Sequence, residues 1–164
     1  MNYMTIKPVD IANGEGVRVS LFVSGCSHHC KGCFNQEAWG YDAGKLFDNS
    51  VAWEIIDKCS KHYIEGLSIL GGEPLDPKNV KWVTFLCEEF KRYFPHKTIW
   101  CYTGYLFEEV SHLRIMEYLD VVVDGRFVEA LKDLNLKFRG SSNQRIIDVQ
   151  ASLKANRTVL LQEE

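Results

Sequence analysis

Short β-type runs alternate with longer amphipathic stretches along the chain. Val17 to Gly25 (Val-Arg-Val-Ser-Leu-Phe-Val-Ser-Gly) is β-branched and aromatic and ends in glycine, which predicts a strand. Residues 51 to 63 place Val51, Ile55, Ile56 and Cys59 at helical spacing, and Gly66 to Gly72 reads as a buried strand closed by a glycine turn. Asp76-Pro77 then opens a helix to about Phe94, with Asp76 as N-cap and Pro77 as the first helical residue. Pro95 ends it, Lys97 to Tyr102 forms a third strand, and Thr103-Gly104 leads into a helix through roughly Tyr118. Leu119 to Asp124 is a fourth strand, closed by Gly125, and Thr158 to Leu161 fits a last short strand at an edge.

This repetition predicts an α/β fold of parallel βα units. Four to five units are too few to close an eight-stranded barrel, which takes about 250 residues. The expected architecture is therefore a partial, open βα barrel of about five units, with ligands gathered at the carboxyl ends of the strands.

Length and composition narrow the picture. The 164 residues fit a single domain spanning 1–164, and 46% hydrophobic with 25% charged residues excludes a disordered chain. A formal net charge of -3 gives no global positive field, so nucleic acid is not expected as a partner. No apolar run approaches the ~20 residues of a spanning helix. Met1-Asn2-Tyr3-Met4 lacks the basic and apolar regions of a signal peptide. No membrane association is expected, and the cytoplasm is the expected compartment. Charge is uneven only late in the chain, where Leu131 to Arg157 holds six basic residues against two acidic ones. That run is either a solvated face or a docking surface for an acidic partner or a ligand carboxylate.

In a reducing compartment six cysteines point to metal or redox chemistry rather than to disulfides. Cys59 and Cys87 fall on apolar helical stripes and are expected to pack in the core, as is Cys101 in its strand. Cys26, Cys30 and Cys33 instead share eight residues, Cys-Ser-His-His-Cys-Lys-Gly-Cys, on the loop leaving the first predicted strand. Three chemistries are open to them. His28 or His29 would complete a Cys3His zinc site, although two histidines between neighbouring ligands close a tetrahedron poorly. Cys30 and Cys33 would serve as a redox pair, leaving Cys26 idle. All three would hold three irons of a 4Fe-4S cluster, leaving the fourth iron open to a small molecule.

The loop resembles the signature of the radical S-adenosylmethionine (SAM) superfamily, Cys-x3-Cys-x2-Cys after the first strand of a partial barrel. Gly71-Gly72-Glu73-Pro74 matches that superfamily's second motif in order and place. Many members have an aromatic residue before the third cysteine, whereas here Gly32 precedes Cys33 and Phe34 follows it. With Asn13 to Arg18, Val121 to Phe127 and Leu136 to Arg145, this makes the chain similar over nearly its whole length to the anaerobic ribonucleotide reductase activating proteins.

The resemblance implies an enzyme in which Cys26, Cys30 and Cys33 ligate a 4Fe-4S cluster and SAM chelates the open iron. Gly32, Cys33 and Phe34 would lie along the adenosine, and Gly72 along the methionine. Glu73 would either contact the SAM amino group or order the turn. No side chain is assigned a catalytic role. One-electron reduction of SAM would give methionine and a 5′-deoxyadenosyl radical, which takes a hydrogen from a glycine of the reductase large subunit. The implied partners are that subunit and a reduced flavodoxin-like electron donor. Asp124, Arg139 and Arg145 are weaker candidates for ligand or partner contact, with surface ion pairing as the other reading. The rival functions are an activase of another glycyl radical enzyme (pyruvate formate-lyase type) and a non-catalytic zinc-binding module.

Overall fold

The computed structural model describes residues 1–162. Seven strands form one open sheet: β1 (Asn2–Asp10), β2 (Arg18–Val23), β3 (Lys45–Leu46), β4 (Gly66–Gly71), β5 (Thr98–Tyr102), β6 (Val121–Asp124) and β7 (Arg145–Asp148). Their spatial order is β3-β1-β2-β4-β5-β6-β7. The four central strands, β2, β4, β5 and β6, are parallel, with Leu21 beside Ile69, Ile69 beside Cys101 and Trp100 beside Val121. β1 and β7 flank them antiparallel.

The expected strands coincide with β2, β4, β5 and β6 to within two residues at most ends. The unit count differs: four parallel strands and three crossovers replace about five βα units, and antiparallel strands end the sheet on both sides. Thr158 to Leu161 contributes only an isolated bridge from Leu160 to Ile147, and the last strand is β7, inside the basic run. β1, which the sequence analysis leaves unassigned, carries Pro8 and a pairing irregularity between Lys7 and Asp10; β3 reaches only its Asn2 and Tyr3.

Helices α1 (Asn49–Cys59) and α2 (Val80–Tyr93) pack on one face of the sheet. Asp48 caps α1 by accepting from the Val51 amide. α2 starts three residues later than Pro77. Residues 77–79 form a turn after Asp76, and the Asn79 side chain points inward to backbone carbonyls instead of capping. The helix expected up to Tyr118 breaks into α3 (Phe107–Val110) and a 3-10 turn (Arg114–Glu117), because Leu113 turns extended and delivers Ile115 and Met116 to the core. A last helix, α4 (Val149–Ala155), follows β7.

Strand periodicity divides the sheet into two faces. Val19, Leu21, Val23, Leu67, Ile69, Ile99, Cys101 and Val122 meet Ile55, Cys59, Leu86, Cys87 and Phe90 from the helices. The opposite face carries Arg18, Ser20, Ser68, Trp100 and Tyr102. No helix covers it. Phe138 from the loop after β6 packs edge-on against Trp100, 5.2 Å between ring centres.

Candidate functional site

The parallel strands end on one rim, and their departing loops enclose a cavity of about 440 Å³. Cys26, Cys30 and Cys33 line it from the loop after β2, Gly71, Gly72 and Glu73 from the turn after β4, Thr103 and Gly104 from β5, and Gly125 from β6. Its volume lies within the usual range for small-molecule sites.

Backbone contacts fasten the cysteine loop to the glycine turn. The Glu73 amide donates to the Gly25 carbonyl at 2.7 Å, and the Gly72 amide to Val23 at 2.9 Å. The Asn79 side chain donates to the carbonyls of Ser24 (2.9 Å) and Glu73 (3.0 Å). A Cβ on Gly72 would stand 2.6 Å from the Gly25 oxygen, so the approach of the two backbones requires glycine there.

The six thiols fall into two groups. Cys59, Cys87 and Cys101 are buried in the core as expected; burial pushes the Cys59 thiol up to about 12 and the other two well above the ordinary thiol range. Burial also raises Cys26 and Cys30, but amides of His28 and His29 on Cys26, and of Phe127 on Cys30, favour the thiolate. The Asn35 amide donates to Cys33 Sγ at 3.4 Å. Among the described residues no three His, Cys, Asp or Glu side chains gather as one metal ion would require. A cubane places its thiolates on separate irons, so it does not need that convergence.

Both loop histidines are engaged elsewhere. His28 Nε2 meets Glu73, and His29 stacks on Trp39 at 4.4 Å between ring centres. Glu73 is fully buried, and Thr103, Gly104 and Leu75 donate to its carboxylate as well. Gly32 is exposed beside Glu129, and Phe34, 58% exposed at the cavity mouth, packs its ring 5.1 Å from that of Phe127.

Asp124 and Arg145 bond to each other. Arg145 donates through Nε to the buried Asp124 at 3.1 Å and forks onto Glu108 at 3.0 and 2.7 Å. Arg139 lines the cavity and donates to the carbonyls of Ser142 and Gln144. Sequence reasoning missed His28 as a partner of Glu73, and it missed Thr103 and Gly104. The Thr103-Gly104 pair, closing β5 as Gly71-Gly72 closes β4, was the available signal.

Two residues of the cavity lining carry unmet polar atoms. Among the described residues, only Tyr102 Oη and Trp39 Nε1 are buried side-chain atoms without a hydrogen-bond partner, and both residues line it. Folds satisfy nearly all such atoms, so two beside one cavity fit a site shaped for a polar ligand. Three thiols on its rim fit an iron-sulfur cofactor.

A family described as a 4Fe-4S single cluster domain matches residues 12–147. The chain is 44% identical over 146 residues to the anaerobic ribonucleoside-triphosphate reductase-activating protein of Enterobacteria phage T4, covering 89% of this chain and 93% of that one. The chain belongs to this family. It is 43% identical over 150 residues to the protein of the same name from Haemophilus influenzae (89% and 97% covered) and 42% over 148 to that of Escherichia coli K12 (88% and 96%). None of the described helices is long and apolar enough to cross a membrane.

Proposed function

We propose that the chain is a radical SAM enzyme that cleaves SAM reductively at a 4Fe-4S cluster and raises a glycyl radical on the large subunit of anaerobic ribonucleotide reductase. The observation that carries this reading is the meeting, on one cavity rim, of Cys26, Cys30 and Cys33 with the Gly71-Gly72 turn, backbone against backbone. The names of the relatives supply the partner. When bound, the two cofactors supply one electron and a carbon radical able to take a hydrogen atom from glycine.

The protein's own residues hold and shield. The thiolates of Cys26, Cys30 and Cys33 take three irons. Gly72 offers backbone without a side chain along the methionine end, and Gly32, Cys33 and Phe34 flank the adenosine. The open sheet is read as a partial barrel of the radical SAM type in one domain spanning 1–164, its uncovered mouth the place where a reductase loop would enter. Lys137 and Arg139 sit near that mouth for docking, whereas Arg145 is spent on Asp124 and Glu108. A reduced flavodoxin-like protein of the cytoplasm is the electron source in this reading. Among the described residues no three His, Cys, Asp or Glu side chains gather round one point, as a Cys3His zinc site would need them to.

Anaerobic reconstitution with iron and sulfide tests the proposal. The expected result is about four irons and four sulfides per chain, methionine and 5′-deoxyadenosine on reduction with SAM, and a glycyl signal in the electron paramagnetic resonance (EPR) spectrum of the added reductase subunit. Zinc without acid-labile sulfide, or SAM cleavage that never yields the glycyl signal, overturns it.

A further inference from the structure

His28 lies midway between the first two cysteines, yet its side chain is only 4% exposed. Its Nε2 is 2.7 Å from Oε1 of Glu73, and its ring packs edge-on against Tyr105, 4.7 Å between ring centres. Gly104 leaves the space the ring fills, since a Cβ there would come within 2.6 Å of it. Every other neighbour of the Glu73 carboxylate is a donor: the amide of Leu75 at 2.9 Å, the amide of Gly104 at 2.7 Å, and the hydroxyl of Thr103 at 3.0 and 2.9 Å from the two oxygens. With only acceptors facing it, Nε2 of His28 must carry the hydrogen and donate.

A carboxylate has about four lone-pair sites, and these four donors fill them. The group is also fully buried although its residue lines the cavity, so an incoming ammonium would have to displace one of these donors. We propose that Glu73 is a positioning residue: it anchors the cysteine loop through His28 and does not receive the amino group of SAM. This rests on the cofactor reading above and assigns two of its residues. The stretch between Cys26 and Cys30 otherwise has His29 stacked at its surface and the Cys26 amide bonded to the Trp39 carbonyl. The His28 bond ties that stretch to the ends of β4 and β5 and so fixes where the thiols stand before any iron arrives.

The test compares wild type, His28→Ala, His28→Gln and Glu73→Gln. Hydrogen exchange is followed in the peptide 26–33 of the chain as purified, with helix α2 as internal control. Iron loss to a ferrous chelator and SAM binding, read from the EPR signal of the reduced cluster, are followed after reconstitution. A hydrogen bond to a charged group, worth about 1.5 to 3 kcal/mol, converts to at least about tenfold faster loop exchange in His28→Ala, with α2 unchanged. Iron loss should accelerate in step. His28→Gln, whose amide reaches the same oxygen, should stay within about twofold of wild type. Glu73→Gln should loosen the loop and weaken SAM together.

Wild-type exchange in the His28→Ala loop overturns the anchor, as does a His28→Gln chain no better than His28→Ala. Glu73→Gln that weakens SAM while the loop stays protected makes Glu73 a ligand and also overturns it. Should Glu73→Gln fail to fold, the His28 pair decides alone. A wild-type chain that takes no cluster defeats the cofactor reading instead, while loop exchange still decides the anchor.

Discussion

The two faces of the sheet are closed by different means. On one, α1 and α2 press Ile55, Leu86 and Phe90 onto the apolar side of the strands, and the contact is interchangeable hydrocarbon. On the other, the chain uses loops, and the closure hangs on Arg18. That side chain is 1% exposed and donates to Ser68 Oγ, Thr98 Oγ1 and the carbonyls of Glu15, Leu67 and Thr98. Burial lowers its pKa to about 10, yet it stays charged at neutral pH, with neutral acceptors in place of a carboxylate. The cavity lies where it does for this reason: a helix-covered face has no room at the strand ends, whereas a face closed by loops leaves a mouth.

The sharpest way to break the comparison is one substitution made on both sides. Cys30→Ala, on the rim, should abolish stable cluster uptake and leave the unfolding midpoint nearly unchanged. Cys87→Ala, under α2, should keep full iron and sulfide while costing about 1 to 2 kcal/mol of stability through the small cavity it leaves. Iron and sulfide assay beside urea unfolding checks both, and equal cluster content in the two variants would end the distinction.

Short of losing the cluster outright, the next effect falls on the loop-closed face. Arg18→Met keeps most of the bulk but takes the donor away from Thr98 Oγ1 and the carbonyls of Glu15, Leu67 and Thr98, with an expected cost of about 2 to 4 kcal/mol. Exchange protection of residues 11–17 should fall before that of α2. Uniform loss across the molecule would mean that the two faces are not separately held.

The smallest effect concerns Glu108, which Arg145 holds down at about 2 from its ordinary 4.5. A carboxylate lowered by folding stabilises the protein above its unfolded pKa, and that contribution disappears as the pH falls from about 4.5 through about 2. Its side chain is 55% exposed, so solvent screening keeps the contribution below about 1 kcal/mol. Glu108→Gln should flatten acid unfolding between those pH values and leave neutral stability within that margin. An unchanged acid limb would show the pair to be idle.

How much of this was legible in the sequence follows from what each region buries. β2, β4, β5 and β6 could be read because β-branched, aromatic and other apolar residues crowd into short runs, three of them closed by glycine, and α1 and α2 because one stripe repeats at helical spacing. β1 could not: only Tyr3 and Asp10 of it are buried, and Pro8 argues against a strand. β7 offers only Ile146 and Ile147 within a basic run. The cysteine loop was visible because its ligating residue type is locally dense. The His28–Glu73 bond joins residues 45 apart, and Arg18 finds acceptors 49, 50 and 80 residues away. Such pairings exist only after the strands have taken their order.

The first strand also governs how far the sheet can grow. β3 pairs with β1 only at Asn2 and Tyr3, so among the described residues the remaining outer edge has no neighbour and offers unpaired backbone to any passing chain. Pro8 removes a donor there, Lys7 sets a charge beside it, and the irregularity before Asp10 twists the ribbon out of register. An approaching strand would find no continuous ladder to extend. The sheet thus carries, one strand from the cysteine loop, its own guard against edge-to-edge stacking at high concentration.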